Sequence, residues 1–289
     1  MVEELRLESC DVRHCCEVLG VSASGFYAWL KRPLSVRRAD AERIWQKIKN
    51  HWEASRKTYG RRRLTEKLQE DGEVIGKNRV ERIMKDHGIQ GKGKRKFKPV
   101  TTASNHELPV AERIFKTEER LEKVVRPNQY WGSDITYIPT EEGWIYLSVF
   151  LDLFTRKVVG HATQDNLQTT IITRALDMAL GRQNVQGELI THSDRGSQYA
   201  SEDYRSKLSG LGIKISMSRK GNCYDNAMVE SFFRTLKVEL IYGQKFKTRK
   251  EAKSKIFEFI EVWYNRQRIH SSLDYMTPTD YEMKHQLAS

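Results

Sequence analysis

The sequence of 289 residues is poor in cysteine and in long apolar runs, and each shortage excludes a class of protein. Its four cysteines lack paired CxxC spacing, which argues against a disulfide framework and against a zinc site. A run of about 18 apolar residues is missing, so we expect no membrane-spanning helix and predict a cytoplasmic protein. The hydrophobic content of 38% still allows a packed core, so the composition is not that of a disordered chain.

Positive charge is abundant and unevenly placed. The chain carries 50 Lys and Arg against 38 Asp and Glu, a formal net charge of +12. Residues 1–100 hold 24 of these basic residues against 14 acidic ones, whereas the remainder is nearly balanced. A basic region of this density favours a DNA backbone through counterion release. A solvated basic surface is the alternative interpretation of the same charges.

The first part of the chain has the pattern of short helices. Residues 20–22 separate two helical segments in the manner of a helix-turn-helix, with Ser22 as the N-cap of a helix over residues 23–30. Three further helices are predicted after Pro33, at residues 43–52, from residue 59 through Leu68, and at residues 78–84. This region therefore has the organisation of a small helical DNA-binding unit.

Arginines on these helices are the candidate DNA contacts. Arg79 and Arg82 are three residues apart on one face, while the apolar residues of the same helix face inward, as a groove-reading helix requires. Arg61 and Arg62, at the start of the preceding helix, are candidates as well. The alternative is a helical packing module whose arginines are only solvated.

From residue 129 the pattern changes to short strands. Strands are predicted at residues 130–138, 144–151, 157–163, 188–192 and 214–217, with helices at residues 168–180 and 202–211. Alternating strands and helices indicate an α/β fold. We therefore divide the chain into a helical region at residues 1–90, a basic linker and connecting segment at residues 91–127, and an α/β core with C-terminal helices at residues 128–289.

Three carboxylates stand out in this core. Asp134 lies in the middle of a strand, where an acidic residue is disfavoured unless it has partners or binds a metal. Asp194 follows the apolar strand at residues 188–192, at the strand end where α/β sheets bind ligands, although it could also cap a turn before Gly196. Glu230 lies on a predicted helix. Together they predict a site in which oxygen ligands hold two divalent ions for phosphodiester chemistry.

The residues around these carboxylates match a known family. The matching segments are Trp131-Gly-Ser-Asp-Ile-Thr-Tyr137, His192-Ser-Asp-Arg-Gly-Ser-Gln-Tyr199 and Ser216-Met-Ser-Arg-Lys-Gly-Asn222. The number of residues between Asp194 and Glu230 is 35, the spacing of the DD(35)E signature. The chain resembles the OrfB-type DDE transposases of bacterial insertion sequences, in the insertion-sequence family numbered three, whose catalytic core is related to retroviral integrases.

This resemblance implies a fold and a reaction. The fold would be an RNase H-like core, a mixed five-stranded sheet with flanking helices, preceded by the all-α DNA-binding region. Asp134, Asp194 and Glu230 would hold two Mg²⁺ or Mn²⁺ ions. The enzyme would nick the ends of its element and transfer the freed strand by transesterification. A metal-dependent nuclease of the same superfamily and a catalytically silent DNA-binding relative are the alternatives.

The resemblance also implies partners. These are double-stranded DNA, as terminal repeats and target, further copies of the chain assembled on that DNA, and an upstream product with a helix-turn-helix and a leucine zipper. The location would be the bacterial cytoplasm, in association with the nucleoid.

Neighbours of Glu230 on its helix extend the predicted site. Asn226, Glu230 and Lys237 fall on one stripe of a helix with about 3.6 residues per turn, whereas Glu239 faces away. Lys237 matches the family's glutamate-to-lysine spacing of seven and would contact a phosphate. Asn226 would contact DNA or, alternatively, cap the helix.

Other polar residues near the carboxylates have plainer interpretations. Asp152 is expected to be structural and to bond turn amides or Arg156. His192 and Ser193 do not form a nucleophile pair, because adjacent residues of a strand point to opposite faces.

Overall fold

The computed structural model describes residues 11–33, 35–93, 111, 124–218 and 226–286. The N-terminal helices are α1 (Val12–Val18), α2 (Ala23–Lys31), α3 (Val36–Ala54), α4 (Arg61–Glu70) and α5 (Lys77–Asp86). The core contains β1 (Tyr130–Thr140), β2 (Gly143–Asp152), β3 (Val158–Gln164), α6 (Thr170–Arg182), β4 (Ile190–Ser193), α7 (Glu202–Gly210) and β5 (Lys214–Met217). The chain continues through α8 (Ala227–Leu236), a π-helical turn (Lys237–Ile241), α9 (Arg249–Glu258), a second π-helical turn (Phe259–Tyr264), a 3-10 turn (Ser271–Leu273) and α10 (Pro278–Gln286).

Within the described residues the strands form one sheet in the order β3-β2-β1-β4-β5. Strands β1, β2 and β3 are antiparallel neighbours, while β4 is parallel to both β1 and β5. The predicted mixed five-stranded sheet is therefore confirmed. The parallel ladder between β1 and β4 runs from Tyr130 and Ile190 to Gly132 and His192. Because this ladder ends there, β1 continues beyond Gly132 without pairing to β4.

Apolar side chains of the central strands alternate between the two faces of the sheet, as the pleat requires. Trp131 and Phe150 are buried with side chains of α6 and α7 on one face. Leu147 and Val149 are buried with α8 and the C-terminal helices on the other. The sheet is thus covered on both faces, and its polar end is the one at which β1 and β4 part.

The N-terminal helices match the predicted pattern with one difference in length. Ser22 caps α2, since its hydroxyl oxygen accepts a hydrogen bond of 2.9 Å from the amide of Gly25. Helix α3 begins at Val36, seven residues before the predicted start at residue 43. The residues of its first two turns are mostly charged, and apolar residues do not recur there at helical spacing. The helix start is instead marked by the cap at Ser35, whose hydroxyl accepts a bond from the amide of Arg38.

Helices α3, α4 and α5 pack around Ile48, Leu64, Leu68 and Val80, all fully buried. These side chains belong to the same apolar cluster as the side of the sheet covered by α8. The N-terminal helices therefore rest on the core. Most of the segment at residues 91–127 lies outside the described residues, and the division of the chain at residues 90 and 127 stays a prediction.

The C-terminal helical segment changes its hydrogen-bonding pattern part-way along. Helix α9 ends at Glu258 and the chain continues as a π-helical turn that buries Trp263 and Tyr264. Across the described residues, no helix has the length and apolar character needed to cross a membrane.

Candidate active site

Asp134 and Asp194 occupy equivalent positions on two separating strands. Gly132 of β1 pairs with His192 of β4. Asp134 lies two residues after Gly132, and Asp194 lies two residues after His192. Both carboxylates line one cleft of about 210 Å³, together with Gly196. This is the edge at which open α/β sheets bind ligands, outside the carboxyl ends of strands that diverge. The structure thus brings together two of the three predicted carboxylates.

Local hydrogen bonds orient the two aspartates. The Oδ1 atom of Asp194 accepts a bond of 2.9 Å from the amide of Gly196, and the Oδ1 atom of Asp134 accepts one of 2.7 Å from the amide of Ile135. Asp194 therefore does cap the turn before Gly196, as the alternative interpretation predicted. Since the same side chain also lines the cleft, capping and ligand binding do not exclude each other.

Glu230 lies in the first turn of α8 and its side chain is exposed. Helix α8 is held against β1 by Val229, which lies under Gly132, and by Asn226. The side-chain amide of the buried Asn226 donates a bond of 3.2 Å to the carbonyl oxygen of Ser133, the residue before Asp134. Helix α8 is therefore fixed to β1 directly beside the aspartate.

The bond of Asn226 bears on its two predicted roles. Asn226 occupies the N-cap position of α8, but its side chain makes no capping hydrogen bond within the described residues. A contact of Asn226 with DNA stays a prediction.

Like charges crowd the cleft. Burial and the neighbouring Asp194 raise the pKa of Asp134 well above its ordinary value, and Glu230 adds to the shift. The protein groups around Glu230 remove part of its hydration and so raise its pKa, although its side chain reaches solvent. Carboxylates whose pKa values are raised in this way gain from a bound cation, which removes their mutual repulsion.

Lys237 provides the positive charge of the site. Its ammonium nitrogen lies 5.9 Å from the centroid of the Tyr137 ring, and Tyr137 lines the same cleft as the two aspartates. Burial lowers the pKa of Lys237, while the charge of Asp134 opposes that shift. The predicted location of Lys237 beside the carboxylates agrees with these contacts, and its contact with a phosphate stays a prediction.

The three carboxylates are near one another without forming a closed cage. Within the described part of the chain, no three His, Cys, Asp or Glu side chains converge closely enough to hold a metal ion. Asp134 and Asp194 share the cleft, and Glu230 acts on Asp134 through its charge from the exposed face of α8. A single site with all three ligands is still a prediction.

Comparisons with known proteins place this site in a family. Models of the Integrase core domain match residues 124–223 and 211–278, and a model of an HTH-like domain matches residues 39–97. The transposase InsF of insertion sequence IS3A from Escherichia coli (strain K12) is 38% identical over 276 residues, which cover 95% of this chain and 94% of that protein. The chain belongs to the IS3 family of insertion-sequence transposases. An uncharacterized 31 kDa protein of insertion element IS600 from Shigella sonnei is 44% identical over 275 residues, 95% of this chain and 100% of that protein.

Solved structures of retroviral proteins resemble this IS3-family chain more distantly. The HTLV-2 integrase catalytic core in complex with magnesium has a TM-score of 0.42 at 15% identity, covering 55% of this chain and 98% of that one. A chain of the simian T-cell lymphotropic virus intasome in complex with PP2A regulatory subunit B56 gamma has a TM-score of 0.46 at 17% identity, covering 82% and 74%. The predicted resemblance, and an integrase core preceded by a helical region, are confirmed by the family matches.

Asp152 of this IS3-family chain is structural, as predicted. Its Oδ2 atom accepts bonds from the amide and the hydroxyl of Thr155, at 2.9 and 2.6 Å, and its Oδ1 atom accepts one of 3.1 Å from the amide of Asn128. Burial raises the pKa of Asp152 to about 6 despite these bonds. The carboxylate thus closes the β2–β3 turn.

His192 and Ser193 point away from each other, as expected for adjacent strand residues. The Nδ1 atom of His192 shares a hydrogen bond of 2.9 Å with the hydroxyl of Ser216, whereas the hydroxyl of Ser193 donates to the carbonyl oxygen of Asp194. These bonds support the conclusion that the two residues are not a nucleophile pair.

Tyr199 is a site residue that the sequence interpretation missed. Its buried hydroxyl shares a hydrogen bond of 2.9 Å with the hydroxyl of Ser133, and its ring lines the cleft. It therefore supports β1 from the side opposite α8, next to Asp134. The only sequence signal was its presence in the segment that follows Asp194.

Two of the four candidate DNA-binding arginines form ion pairs within the helical region. Arg79 bonds to Asp40 at 2.5 Å, and Arg61 pairs with Glu81. An ion pair occupies the same donors that a phosphate would use, so DNA binding by these two arginines requires exchange of partners.

The other two candidates, Arg62 and Arg82, have exposed side chains. On α5 the apolar residues Val80, Ile83 and Met84 are buried, so the predicted inward face of this helix is confirmed. Because that face is used for packing, the opposite face with Arg82 is the one turned to solvent. Base or backbone contacts by any of the four arginines stay predictions.

Proposed function

We propose that this chain is a DNA transposase that nicks the ends of its insertion sequence and joins the freed 3′-hydroxyl to target DNA. The observation that carries the proposal is that Asp134 and Asp194, each two residues past the last pair of the β1–β4 ladder, line one cleft in a chain of the IS3 family. Polynucleotidyl transfer requires charge stabilisation and positioning at the phosphorus more than a strong side-chain base.

The donor set of the cleft fits a hard divalent cation. The candidate ligands are the carboxylates of Asp134, Asp194 and Glu230, and oxygen atoms are the ligands that Mg²⁺ and Mn²⁺ prefer. The raised pKa of Asp134, caused by burial and by Asp194, supports the same conclusion, since two crowded carboxylates favour a counter-ion. When bound, two such ions would activate the attacking oxygen and stabilise the leaving oxygen of the phosphodiester.

The residues of the chain itself supply position and charge. Asp134 and Asp194, held by the amides of Ile135 and Gly196, present their carboxylates to the cleft in fixed orientations. Glu230 completes the ligand set from α8. Lys237 extends positive charge to the same cleft, where it contacts a phosphate oxygen of the bound strand.

The N-terminal region binds double-stranded DNA in this proposal. The match to an HTH-like domain over residues 39–97 and the concentration of basic charge before residue 100 support it. Arg62 and Arg82 are the arginines that contact the DNA backbone without losing a partner among the described residues, because their side chains are exposed. We further propose that copies of the chain assemble on paired element ends, with an upstream helix-turn-helix partner, in the cytoplasm at the nucleoid.

A strand-joining assay tests the proposal. Purified protein is incubated with Mg²⁺ and labelled DNA that carries the terminal repeat, and a denaturing gel separates nicked from joined strands. Asp134→Asn and Glu230→Gln are each expected to reduce joining at least about 100-fold, because loss of outer partners of a metal site alone can cost that much. Asp152→Asn is the matched control, since the side-chain hydrogen bonds of this buried aspartate within the described residues go to Thr155 and to the amide of Asn128 and not to the cleft.

The outcomes separate the candidate functions. Joining that is lost in Asp134→Asn and Glu230→Gln but kept in folded Asp152→Asn supports the transposase. Nicks without joined products in the wild type favour the nuclease, and DNA binding without metal-dependent cleavage favours the silent relative. Joining by Asp134→Asn at the wild-type rate refutes the carboxylate site.

A further inference from the structure

Glu239 is a buried charge at the end of the helix that carries the catalytic glutamate. It lies in the π-helical turn that continues α8, two residues after Lys237. Its side chain and that of Arg268 are each only 7% exposed, and the Nη2 atom of Arg268 lies 2.9 Å from Oε1 of Glu239. The Nε atom of Arg268 also bonds to both carboxylate oxygens, and the indole of Trp263 donates to Oε2 at 2.9 Å.

These bonds restrict the movement of α8 relative to the cleft. The carboxylate accepts from a planar guanidinium fork and from an indole, so it tolerates little change in direction. Breaking a buried ion pair is strongly unfavourable, because a charge is left without its partner. Helix α8 therefore cannot rotate about its axis or slide along β1 unless Glu239 leaves Arg268. Glu230 and Lys237 lie on this same continuous helix and share the restriction.

The N-terminal helices reach the same point. The ammonium group of Lys92 donates a bond of 2.9 Å to the carbonyl oxygen of Glu239, at a helix end where carbonyl groups lack intrahelical partners. The hydroxyl of Tyr59 accepts a bond of 2.9 Å from the amide of Ile269, which follows Arg268 in the chain. Residues that precede the core thus bond to the backbone of Glu239 itself and to the backbone of Ile269, the residue after Arg268.

A third contact strengthens this junction. Arg56 forms an ion pair with Glu258, and its guanidinium lies 5.5 Å from the centroid of the Trp263 ring. Trp263 is the residue that donates to Glu239. Contacts from residues that precede the core therefore reach Trp263 and Glu239 directly, and Arg268 through its neighbour Ile269.

We propose that Glu239 and Arg268 are positioning residues for strand transfer, which set the location of Glu230 and Lys237, and that Lys92 joins this fixed point to the N-terminal helices. The proposal rests on the proposed function, because it assumes that Glu230 binds the metal ions. It explains why a buried ion pair, which is not required for a stable core, lies at this position. DNA bound by the N-terminal region would then act on the same helix as the catalytic glutamate.

The chain offers a matched control for the loss of a buried ion pair. Lys157 and Glu282 pair at 2.5 Å with side chains 20% and 7% exposed, away from the cleft. Glu239→Gln and Glu282→Gln each remove the charge of a carboxylate that is 7% exposed and ion-paired. Both are expected to lower stability, whereas only Glu239→Gln is expected to change the site.

The test measures metal binding and strand joining separately. Mn²⁺ binding to the full chain is followed by electron paramagnetic resonance, joining is followed in single turnover as Mg²⁺ is varied, and DNA affinity and urea unfolding are measured alongside. We expect Glu239→Gln to weaken Mn²⁺ binding about 10-fold and to raise the half-saturating Mg²⁺ for joining by a similar factor, as for other residues that orient metal ligands. DNA affinity is expected to stay unchanged.

Two milder variants keep the test decisive if Glu239→Gln fails to fold. Arg268→Lys retains the charge but loses the fork, and we expect it to weaken Mn²⁺ binding in the same direction. Lys92→Met removes only the bond to the carbonyl of Glu239, and about a threefold rise in half-saturating Mg²⁺ is expected, the effect of a single hydrogen bond of under 1 kcal/mol. A Lys92→Met protein identical to wild type overturns the link to the N-terminal helices.

The failure of this inference is distinguishable from failure of the proposed function. If Asp134→Asn abolishes Mn²⁺ binding and joining while Glu239→Gln matches Glu282→Gln in both, only the positioning role is wrong. If Asp134→Asn itself binds Mn²⁺ and joins DNA normally, the assignment of the carboxylate site is wrong. Glu239 and Arg268 then have no metal ligand to position. A shift in Mn²⁺ affinity in Glu239→Gln but not in Glu282→Gln supports the inference.

Discussion

Gly132 is the point at which β1 passes closest to helix α8. A Cβ atom at this position would lie 2.7 Å from Cγ2 of Val229 and 3.0 Å from Cδ2 of Leu153. Non-bonded carbon atoms pack at about 3.5–4.0 Å, so Gly132→Ala requires a displacement of roughly 1 Å. Val229 precedes Glu230 in α8, and the displacement is therefore transmitted to the predicted catalytic glutamate.

The expected consequence has a stability part and a rate part. Overpacking a well-packed core costs about 1–3 kcal/mol, which lowers the urea midpoint without preventing folding. Misplacement of a catalytic group by about 1 Å can reduce the rate about 100-fold. We therefore expect Gly132→Ala to fold, to bind DNA as the wild type does, and to join strands about 100-fold more slowly.

Gly160→Ala is the matched control for this prediction. A Cβ atom on Gly160 of β3 would lie 2.2 Å from the carbonyl oxygen of Ala175 in α6, so this substitution is at least as disruptive to packing. It displaces the helix on the other face of the sheet, away from Glu230. We expect Gly160→Ala to lose at least as much stability as Gly132→Ala, with a wild-type joining rate for the folded fraction.

A second substitution tests the physical cause. Val229→Ala removes the methyl group that the new side chain would meet, and we expect the double variant Gly132→Ala with Val229→Ala to recover most of the joining rate. The measurements are single-turnover joining at saturating Mg²⁺ and urea unfolding on the same preparations. A Gly132→Ala protein that is destabilised but joins at the wild-type rate refutes the reasoning, since the packing of α8 on β1 would then not determine the position of Glu230.

Two further predictions concern DNA binding and acid stability. Arg62→Ala and Arg82→Ala are each expected to weaken binding to all DNA sequences alike and to reduce the slope of log affinity against log salt by about 1, because each removes one phosphate contact; an unchanged slope in a filter-binding titration contradicts that assignment. Burial alone would raise the pKa of Glu261, but hydrogen bonds from His161 and Arg182 lower it to about 2, so its stabilising effect is complete above pH 4.5 and is lost as the pH falls towards 2. Glu261→Gln should therefore be less stable than wild type near pH 5, and this difference should disappear as the pH falls towards 2. A difference in urea midpoint between the two proteins that stays constant as the pH falls contradicts this.

Much of the fold was predictable because it depends on local patterns. Alternation along the strands, with turn residues between them, located both ends of all five strands of the described sheet to within two residues. The buried face of α5 and the cap at Ser22 also followed from spacing alone. The carboxylates were identifiable because Asp134 is out of place in a strand and the segments around Asp194 and Glu230 match a family pattern.

Only the tertiary structure decided how these residues meet. The end of the β1–β4 ladder at Gly132 and His192, which sets Asp134 opposite Asp194, depends on a pairing between strands about 60 residues apart in sequence, and a local pattern carries no register between distant strands. The pairing of Glu239 with Arg268 depends in the same way on the packing of the C-terminal segment against α8. Sequence thus determined which chemical groups are present and on which elements they lie. Long-range packing determined their distances, their burial and hence their pKa values, because those depend on neighbours that are remote in the chain.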